Sequence, residues 1–375
     1  MALSSLQLNR ATLERQLLLR RERLPVADAV RRLVAVQAQE PASPYIALWN
    51  RLTEFDAADL DAAFAEGSVV KASLLRITLH AVHADDYPVF HEAMAGTLRA
   101  SRVFDRRYTG DGLTPSDTDQ VLPDLLAFLS RPRSKIELET MLEAHLGERA
   151  QRAWWALKTF APIHHAPTGG PWSFARRGSY VAAPARERPS EAEAVQHLAQ
   201  RYLEGFGPAS VRDLAQFTLL RRSVIRNALA ALGDAIVELE GPDRTTLFDV
   251  AGWAIPDEDI EAPPRLLPMW DSVLLAYSDR SRMIPPEYRR LVIHQNGDVL
   301  PTLLIDGHVA GVWRPVEGGI EATAFHRLSK GAWAVLESEA EGLVAFLGAR
   351  DPAVYRRYGH WWSKLPSAEV RVLPG

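Results

Sequence analysis

The apolar positions of the first 90 residues predict two helices followed by a β-rich segment. After Pro25, a favourable first residue of a helix, apolar side chains recur every three or four positions: Val26, Ala29, Val30 and Leu33. This stripe predicts a helix over 26–37, and another helix is expected around 11–20. The run at 68–82, SVVKASLLRITLHAV, is β-prone and predicts strands.

A related order of elements recurs twice further along the chain. Residues 206–250 predict a short helix ending near Phe217, a second helix, and two β-rich runs joined by a Gly-Pro-Asp turn. The second helix carries three basic residues, Arg221, Arg222 and Arg226. Helix, turn, basic helix and two-stranded ribbon is the layout of a winged helix. Residues 125–183 show the same order and include a capping box, Ser134 with Glu137, so we expect three tandem winged-helix modules.

The pattern of apolar and polar residues changes from about residue 265. The dipeptides Asn296-Gly297 and Asp306-Gly307 lie between apolar or alternating runs and predict two-residue hairpins. We therefore expect an antiparallel β-meander or small barrel, followed by a helix near 328–347. The expected fold class is α+β, with three modules and a C-terminal β-rich region bounded at 1–120, 121–190, 191–255 and 265–375.

Composition narrows the class of protein. The 375 residues are 47% hydrophobic and 24% charged, which is typical of a soluble globular chain with several modules. The chain has no cysteine, so disulfides, thiolate zinc sites and a cysteine nucleophile are excluded. We find no secretory signal pattern and no run of about 20 apolar residues, so we expect a cytoplasmic protein without a membrane span.

The charge distribution is more informative than the net charge of −4. Basic residues gather in clusters, while acidic residues gather at 54–66 and 257–261; the basic clusters are 131–135, 149–152, 176–188, 221–226 and 280–290. Such segregation favours a basic face on an acidic protein, although solvated helix faces give the same pattern.

Two glutamines interrupt an apolar stretch in an unusual place. Gln37 continues the apolar stripe of the helix expected over 26–37, and a buried amide without hydrogen-bond partners costs about 1–3 kcal/mol. Gln39 lies two residues on, about 200° around a helix, so the two amides can share a direction only where the helix unwinds. Pro41 predicts that unwinding, because it disfavours helical geometry at Glu40.

Three motifs resemble the bacterial winged-helix DNA glycosylase family and together span essentially the whole chain. They are VQAQ at 36–39, LLRITLHAVHADDY at 74–87, and the two runs RLLPMWDSVLLAYSDRSRMIPPEY and NGDVLPTLLIDGHVAGVWR within 265–314. The resemblance implies tandem winged helices around a concave surface that binds double-stranded DNA. It also implies that a Gln-x-Gln motif lines the active site, here Gln37 and Gln39.

The resemblance implies a chemistry that amides can perform. A guanine alkylated at N7 is cationic and leaves the sugar without prior protonation, so no general acid is required. What remains is to orient water and to stabilise positive charge developing on the sugar. We expect Gln37 and Gln39 to do both, for N7-alkylguanine lesions that include bulky adducts and interstrand crosslinks. A crosslinked base cannot be flipped freely, so an open cleft is expected.

Four further residues are candidates for DNA binding. Arg76 and His80 belong to the matched LLRITLH run and are expected to line or support the cleft; the alternative is a strand with solvated side chains. Arg282 and Arg314 are expected to contact phosphates, and surface solubility is the alternative. Glu40 is expected to be solvated, since it precedes Pro41; the alternative is a carboxylate that acts near the site. His80 and His83 have a metal-like spacing, as do His164 and His165, but no third ligand follows at a useful spacing, so neither a metal nor a cofactor is expected.

Two other functions fit parts of the pattern. A winged-helix transcriptional regulator would bind DNA in a sequence-specific way, usually as a dimer on two half-sites. A protein-binding module would show no salt-dependent DNA affinity. Three modules in one chain favour a monomer that embraces a single lesion, and neither alternative gives the two glutamines a purpose.

Overall fold

The first part of the chain is mainly helical in the computed structural model, which describes residues 2–175, 177–187, 189–366 and 368–374. Its elements are α1 (Ser5–Arg15), α2 (Val26–Arg32), β1 (Val36–Gln37), α3 (Ser43–Trp49), α4 (Ala57–Glu66), β2 (Val69–Ser73), β3 (Leu79–His83), α5 (Tyr87–Val103) and α6 (Arg106–Gly110). The helix expected around 11–20 begins earlier, because Ser4 and Gln7 form a reciprocal capping box that starts α1 at Ser5. It also ends earlier, at Arg15, and Leu17 has a non-helical φ of 55°.

The second predicted helix also ends early. We expected it over 26–37, but α2 stops at Arg32 and Val34 has a φ of 70°, which breaks helical geometry. The chain then becomes extended, and Gln37 lies in β1. Unwinding before Pro41 is therefore the wrong explanation for the glutamines, because the helix ends before both of them.

The next segment of the chain adds three strands to the sheet that contains β1, β2 and β3. Its elements are α7 (Pro115–Phe128), β4 (Arg133–Ser134), α8 (Lys135–Leu146), α9 (Ala150–Phe160), β5 (Ile163–Ala166) and β6 (Ser179–Ala182). The predicted Ser134/Glu137 capping box is present at the start of α8. The strands form one six-stranded sheet in the order β1-β3-β2-β5-β6-β4, in which Lys71 of β2 pairs with His165 of β5. Segments far apart in sequence thus share one sheet.

The helix, helix and ribbon order predicted for 206–250 is confirmed. A long helix, α10 (Glu191–Phe206), precedes α11 (Val211–Thr218), α12 (Arg222–Leu232), β7 (Ile236–Glu240) and β8 (Thr246–Val250). The two strands pair as an antiparallel ribbon. The basic residues predicted on the second helix are exposed: Arg221, Arg222 and Arg226.

The C-terminal region forms the expected antiparallel meander. Its elements are β9 (Arg265–Leu267), α13 (Arg289–Val292), β10 (Thr302–Ile305), β11 (His308–Val316), β12 (Gly319–Ala324), α14 (Lys330–Gly348) and β13 (Glu369–Leu373). The strand order is β13-β12-β11-β10-β9, so the described strands make an open sheet with β13 and β9 at its edges. The helix expected near 328–347 corresponds to α14.

The two predicted hairpin turns differ. Asp306 and Gly307 have φ values of 47° and 76° and connect β10 to β11, as a two-residue hairpin requires. Around Asn296-Gly297 the chain also reverses, because Ile293 and Val299 form an antiparallel bridge and His294 N donates to the Asp298 carbonyl oxygen over 2.9 Å. The loop is longer than the predicted two residues, so only the two-residue turn is wrong. The short segments beside this turn are fixed by other contacts, including the bond from the Trp270 indole nitrogen to the Gly297 carbonyl oxygen, 2.8 Å long.

Two hydrophobic cores meet beneath the glutamines. One core joins the N-terminal helices to the C-terminal sheet and includes Leu48 and Trp313. The other joins α5, α9 and α10 and includes Trp154. Within the short run 34–38, Val34 and Ala35 pack in the second core, whereas Val36 and Ala38 pack in the first. The glutamine segment therefore lies at the seam between the cores, where its backbone is fixed from both sides.

Candidate active site

The two glutamines form a single hydrogen-bonded unit. The carbonyl oxygen Oε1 of Gln37 accepts a bond of 2.6 Å from the backbone nitrogen of Gln39. The Nε2 of Gln37 donates to Thr78 Oγ1 over 3.1 Å. The Oε1 of Gln39 accepts from the backbone nitrogen of Leu79 at 3.4 Å. Because an amide oxygen has two lone pairs, each glutamine keeps acceptor capacity for a further group.

The two glutamines differ in exposure. Gln37 is 2% exposed, whereas Gln39 is exposed to solvent. Gln37 lines a small cavity of about 10 Å³, which has room for roughly one water molecule and not for a nucleobase. Gln37 is therefore the fixed member of the pair, and Gln39 is the member that a large ligand can reach.

Segments from the C-terminal region hold the glutamine loop, which we define as residues 35–43. Ser272 Oγ donates to the backbone oxygen of Ala35 over 2.8 Å. The hydroxyl of Tyr358 donates to Glu40 Oε1 over 2.8 Å, and Arg357 pairs with the same carboxylate. Our expectation that Glu40 is solvated is therefore wrong, because residues more than 300 positions away cover it.

A buried ion pair lies behind the loop. Arg51 binds Asp271 through two nitrogens, with Nη1 to Oδ2 at 2.9 Å and Nη2 to Oδ1 at 2.8 Å. Both side chains are almost completely buried, and both line the cavity beside Gln37. Asp271 also caps the short turn that follows it, by accepting from the Val273 backbone nitrogen. The two parallel hydrogen bonds of a bidentate pair make this support rigid.

His80 and Arg76 flank the glutamines on the strand and turn opposite them. His80 on β3 pairs in register with Gln37 on β1, is fully buried, and has its Nδ1 3.1 Å from the Thr78 carbonyl oxygen. Burial and the nearby charge of Arg76 lower the pKa of His80 to about 3, so its ring is neutral at neutral pH. Arg76 lies in the turn at 75–77, with a φ of 51°.

The structure separates the other predicted residues from this group. Arg282 donates to the Pro208 carbonyl oxygen over 2.9 Å and stacks on Tyr277. It therefore links the C-terminal region to the loop between α10 and α11. Arg314 pairs with Glu321 over 2.7 Å on neighbouring strands. Gln37, Gln39 and His80 are therefore brought together, Arg76 is on the adjoining turn, and Arg282 and Arg314 already have protein partners.

Sequence reasoning did not single out Arg280, which lies near Arg76. Its electrostatic repulsion contributes to lowering the pKa of Arg76, after the larger effect of burial. The basic cluster at 280–290 contained the signal, but a sequence does not reveal which member of a cluster is buried. Within the described parts of the chain, no group of three or more potential metal ligands occurs, and no helix is long and apolar enough to cross a membrane.

Comparisons with known proteins identify the family and the fold. The interstrand DNA cross-link repair glycosylase of Streptomyces sahachiroi is 26% identical over 350 residues, which cover 88% of this chain and 92% of that protein. The solved structure of Streptomyces sahachiroi DNA glycosylase AlkZ superposes with a TM-score of 0.80 at 22% identity, covering 93% of this chain and 98% of the other, which establishes the fold. The family model described as DNA glycosylase AlkZ-like matches residues 30–346. The chain therefore belongs to the AlkZ-like family of DNA glycosylases, enzymes that hydrolyse N-glycosyl bonds.

Proposed function

We propose that this protein is a monofunctional DNA glycosylase for cationic N7-alkylguanine, including bulky adducts and interstrand crosslinks, and that it leaves an intact abasic strand. The observation that carries the proposal is the linked pair Gln37 and Gln39, one fixed and one exposed. The family relationship and the cross-link repair activity in the relative's name support the same lesion class.

The reaction requires the protein to orient a water molecule and to stabilise positive charge on the sugar with amide dipoles. As the bond from C1′ to N9 breaks, its electron pair moves into the purine and neutralises the positive charge that alkylation created. Water adds its oxygen to C1′ and releases a proton to solvent. The remaining acceptor capacity of Gln37 and Gln39 orients this water and faces the positive charge developing on the sugar.

The carboxylate that follows the two glutamines in the chain is assigned a structural role. Glu40 accepts from Tyr358 and pairs with Arg357, and its side chain is only 14% exposed. Glycosidases usually combine a carboxylic acid with a carboxylate, but a substrate that already carries a positive charge makes the acid unnecessary. The proposal therefore restricts the enzyme to cationic bases.

An open surface suits a base that cannot leave the duplex. The cavity beside Gln37 is too small for a flipped base, and Gln39 faces solvent. We propose that the duplex lies across this surface and that the base is released without entering a pocket. A crosslinked guanine, which remains attached to the opposite strand, can react in this way.

The third module offers a surface for the DNA backbone. Arg221, Arg222 and Arg226 are exposed around the start of α12 and along it, and they have no ion-pair partner among the described residues. A basic helix followed by the β7 to β8 ribbon fits the winged-helix layout. We propose three such modules, at 1–120, 121–190 and 191–255, with the C-terminal region at 265–375, acting together as a monomer in the cytoplasm.

The product and the lesion range test this proposal. The purified protein should release N7-methylguanine from duplex DNA, leaving a strand that breaks only after alkali, and it should not release neutral hypoxanthine. A nicked strand would indicate a lyase activity, and release of hypoxanthine would require a general acid. Salt-dependent binding of undamaged DNA without any base release would instead favour a winged-helix regulator.

A further inference from the structure

The protein compensates several buried arginines with carboxylates. Arg15 binds Asp249 through two nitrogens, at 2.7 and 2.8 Å, with both side chains at most 1% exposed. Arg51 binds Asp271 in the same bidentate way. A buried guanidinium needs such a partner because removing an unpaired charge from water is costly.

Arg76 and Arg280 depart from this rule. Both terminal nitrogens of Arg76, and Nε and Nη1 of Arg280, are buried and have no hydrogen-bond partner among the described residues. Arg76 stacks on the Phe217 ring, with 5.1 Å from Cζ to the ring centre, but a ring offers no acceptor oxygen. Burial and charge repulsion lower the pKa of Arg76 to about 9 and that of Arg280 to about 10. Two half-buried arginines with buried guanidinium nitrogens thus interact without a dedicated anion.

The carboxylate that acts electrostatically on Arg280, Asp213, is already engaged. Asp213 accepts from the backbone nitrogen of Ser278 with one oxygen, over 2.8 Å, and from the backbone nitrogen and hydroxyl of Ser210 with the other. Its negative charge favours the charged form of Arg280, while the charge of Arg289 opposes it. These contacts leave the guanidinium nitrogens of Arg76 and Arg280 unsatisfied.

Arg280 borders a cleft large enough for an external anion. The cleft measures about 430 Å³ and is lined by basic, hydroxyl and acidic side chains; among them are Arg280, Arg289, Arg290, Ser281, Asp279 and Glu287. Asp279 is occupied as a cap, since it accepts from the Ser281 backbone nitrogen over 2.9 Å. Three arginines around one cleft favour an anion with several oxygens, and a guanidinium matches phosphate in a bidentate way.

The turn at 75–77 connects Arg76 to the glutamines. Arg76 and Ile77 have φ values of 51° and 58°, and the following residue, Thr78, accepts the amide hydrogen of Gln37. Thr78 also donates to the Leu75 carbonyl oxygen over 3.0 Å, which closes the turn. An anion held beside Arg76 and Arg280 is thereby kept in a fixed relation to Gln37.

We propose that Arg280, with Arg76 buried behind it, forms a receptor for one phosphodiester of the DNA backbone close to the lesion. Arg280 contacts the phosphate from the wall of the cleft, and Arg76 is a positioning residue that raises the positive potential there. This inference rests on the proposed glycosylase function. The unpaired positive charges of Arg76 and Arg280 in the free protein are then compensated by a phosphate of the bound DNA.

A scan of single backbone phosphates tests the receptor. In duplexes carrying a tetrahydrofuran abasic analogue, each phosphate near the analogue is replaced in turn by a neutral methylphosphonate. Wild-type protein should lose affinity by about tenfold or more at one position. Arg280→Gln should bind more weakly and lose the penalty at that position alone. The matched control Arg226→Gln, on exposed α12, should bind more weakly but keep the penalty.

The free protein gives a second, independent readout. Arg76→Met keeps the apolar stem and removes the unpaired charge, so its melting temperature without DNA should rise by about 2 °C or more while DNA affinity falls. A lowered melting temperature would mean that Arg76 stabilises the free protein, which would contradict its proposed role. A phosphate scan of Arg280→Gln identical to that of the wild type would overturn the proposed phosphate receptor. Base release by the wild type, assayed separately, decides the proposed function, so the two failures are distinguishable.

Discussion

The glutamine loop at 35–43 and the arginine cleft at 278–290 both bury polar groups, but they compensate them differently. In the loop, Gln37 and Glu40 each bond to protein groups, and the pair of Arg51 and Asp271 lies behind them. In the cleft, Arg280 and the adjoining Arg76 keep buried nitrogens without partners. On the two proposals made above, the groups that orient the reaction are fixed in advance, whereas the groups that receive a charged ligand stay unsatisfied until it binds.

The largest effect is expected from breaking the ion pair behind the loop. Arg51→Met leaves the Asp271 carboxylate buried and unpaired, so the free energy of unfolding should fall by about 3–5 kcal/mol. Urea unfolding measures it. Arg51→Met combined with Asp271→Leu should recover much of the loss. An unchanged midpoint in the single variant would show that the loop does not depend on this pair, and the contrast with Arg76→Met would disappear.

The next largest effect is expected from acid, which should lower the free energy of unfolding through two histidines in the sheet beside the glutamines. The pKa of His80 and that of His165 are both lowered by burial to about 3, against an ordinary value of 6.5. Between these values the unfolded chain binds protons that the folded chain does not, so stability falls as the pH falls. At pH 5 each histidine should cost up to about 2 kcal/mol relative to pH 7 and above.

Replacing one histidine isolates its share of this acid sensitivity. His165→Phe should lose less stability than the wild type between pH 7 and pH 5, whereas the exposed control His360→Gln should behave like the wild type. Unfolding in urea at the two pH values gives the comparison. Equal losses in all three proteins would mean that His165 does not contribute to the acid sensitivity.

A smaller and more specific effect is expected at Thr78, which links the loop to the turn of Arg76. Thr78→Val removes the acceptor for Gln37 Nε2 while keeping the shape of the side chain. The single-turnover rate of base release should fall by about tenfold, about 1.4 kcal/mol, with little change in DNA affinity. Equal loss of rate and affinity would indicate that the turn serves binding and not the orientation of Gln37.

Sequence reasoning reached local features better than long-range ones. The β7 to β8 ribbon, the Asp306-Gly307 hairpin and helix α14 follow from periodicity and turn chemistry, which act over a few residues. The glutamines were singled out because amides interrupt an apolar pattern. The end of α2 was missed, since a positive φ at Val34 contradicts the preference of a β-branched residue and is imposed by packing at the seam of the two cores.

Contacts between distant segments were beyond the sequence pattern. Tyr358 covers Glu40 across more than 300 residues, and β2 pairs with β5 through the bridge of Lys71 and His165. The unpaired state of Arg76 and Arg280 depends on the absence of a carboxylate in three dimensions, which no local spacing encodes. The architecture of the support, and not the identity of the glutamines, required the structure.

The most direct test of the central claim is the single-turnover release of N7-methylguanine from duplex DNA by Gln37→Ala and Gln39→Ala, with DNA affinity measured in parallel. The exposed Gln151→Ala serves as the matched control. We expect either alanine at the pair to lower the rate by about tenfold or more, at least about 1.4 kcal/mol of transition-state stabilisation, while binding is retained. Wild-type rates in both variants would contradict the assignment of the glutamines as the catalytic pair.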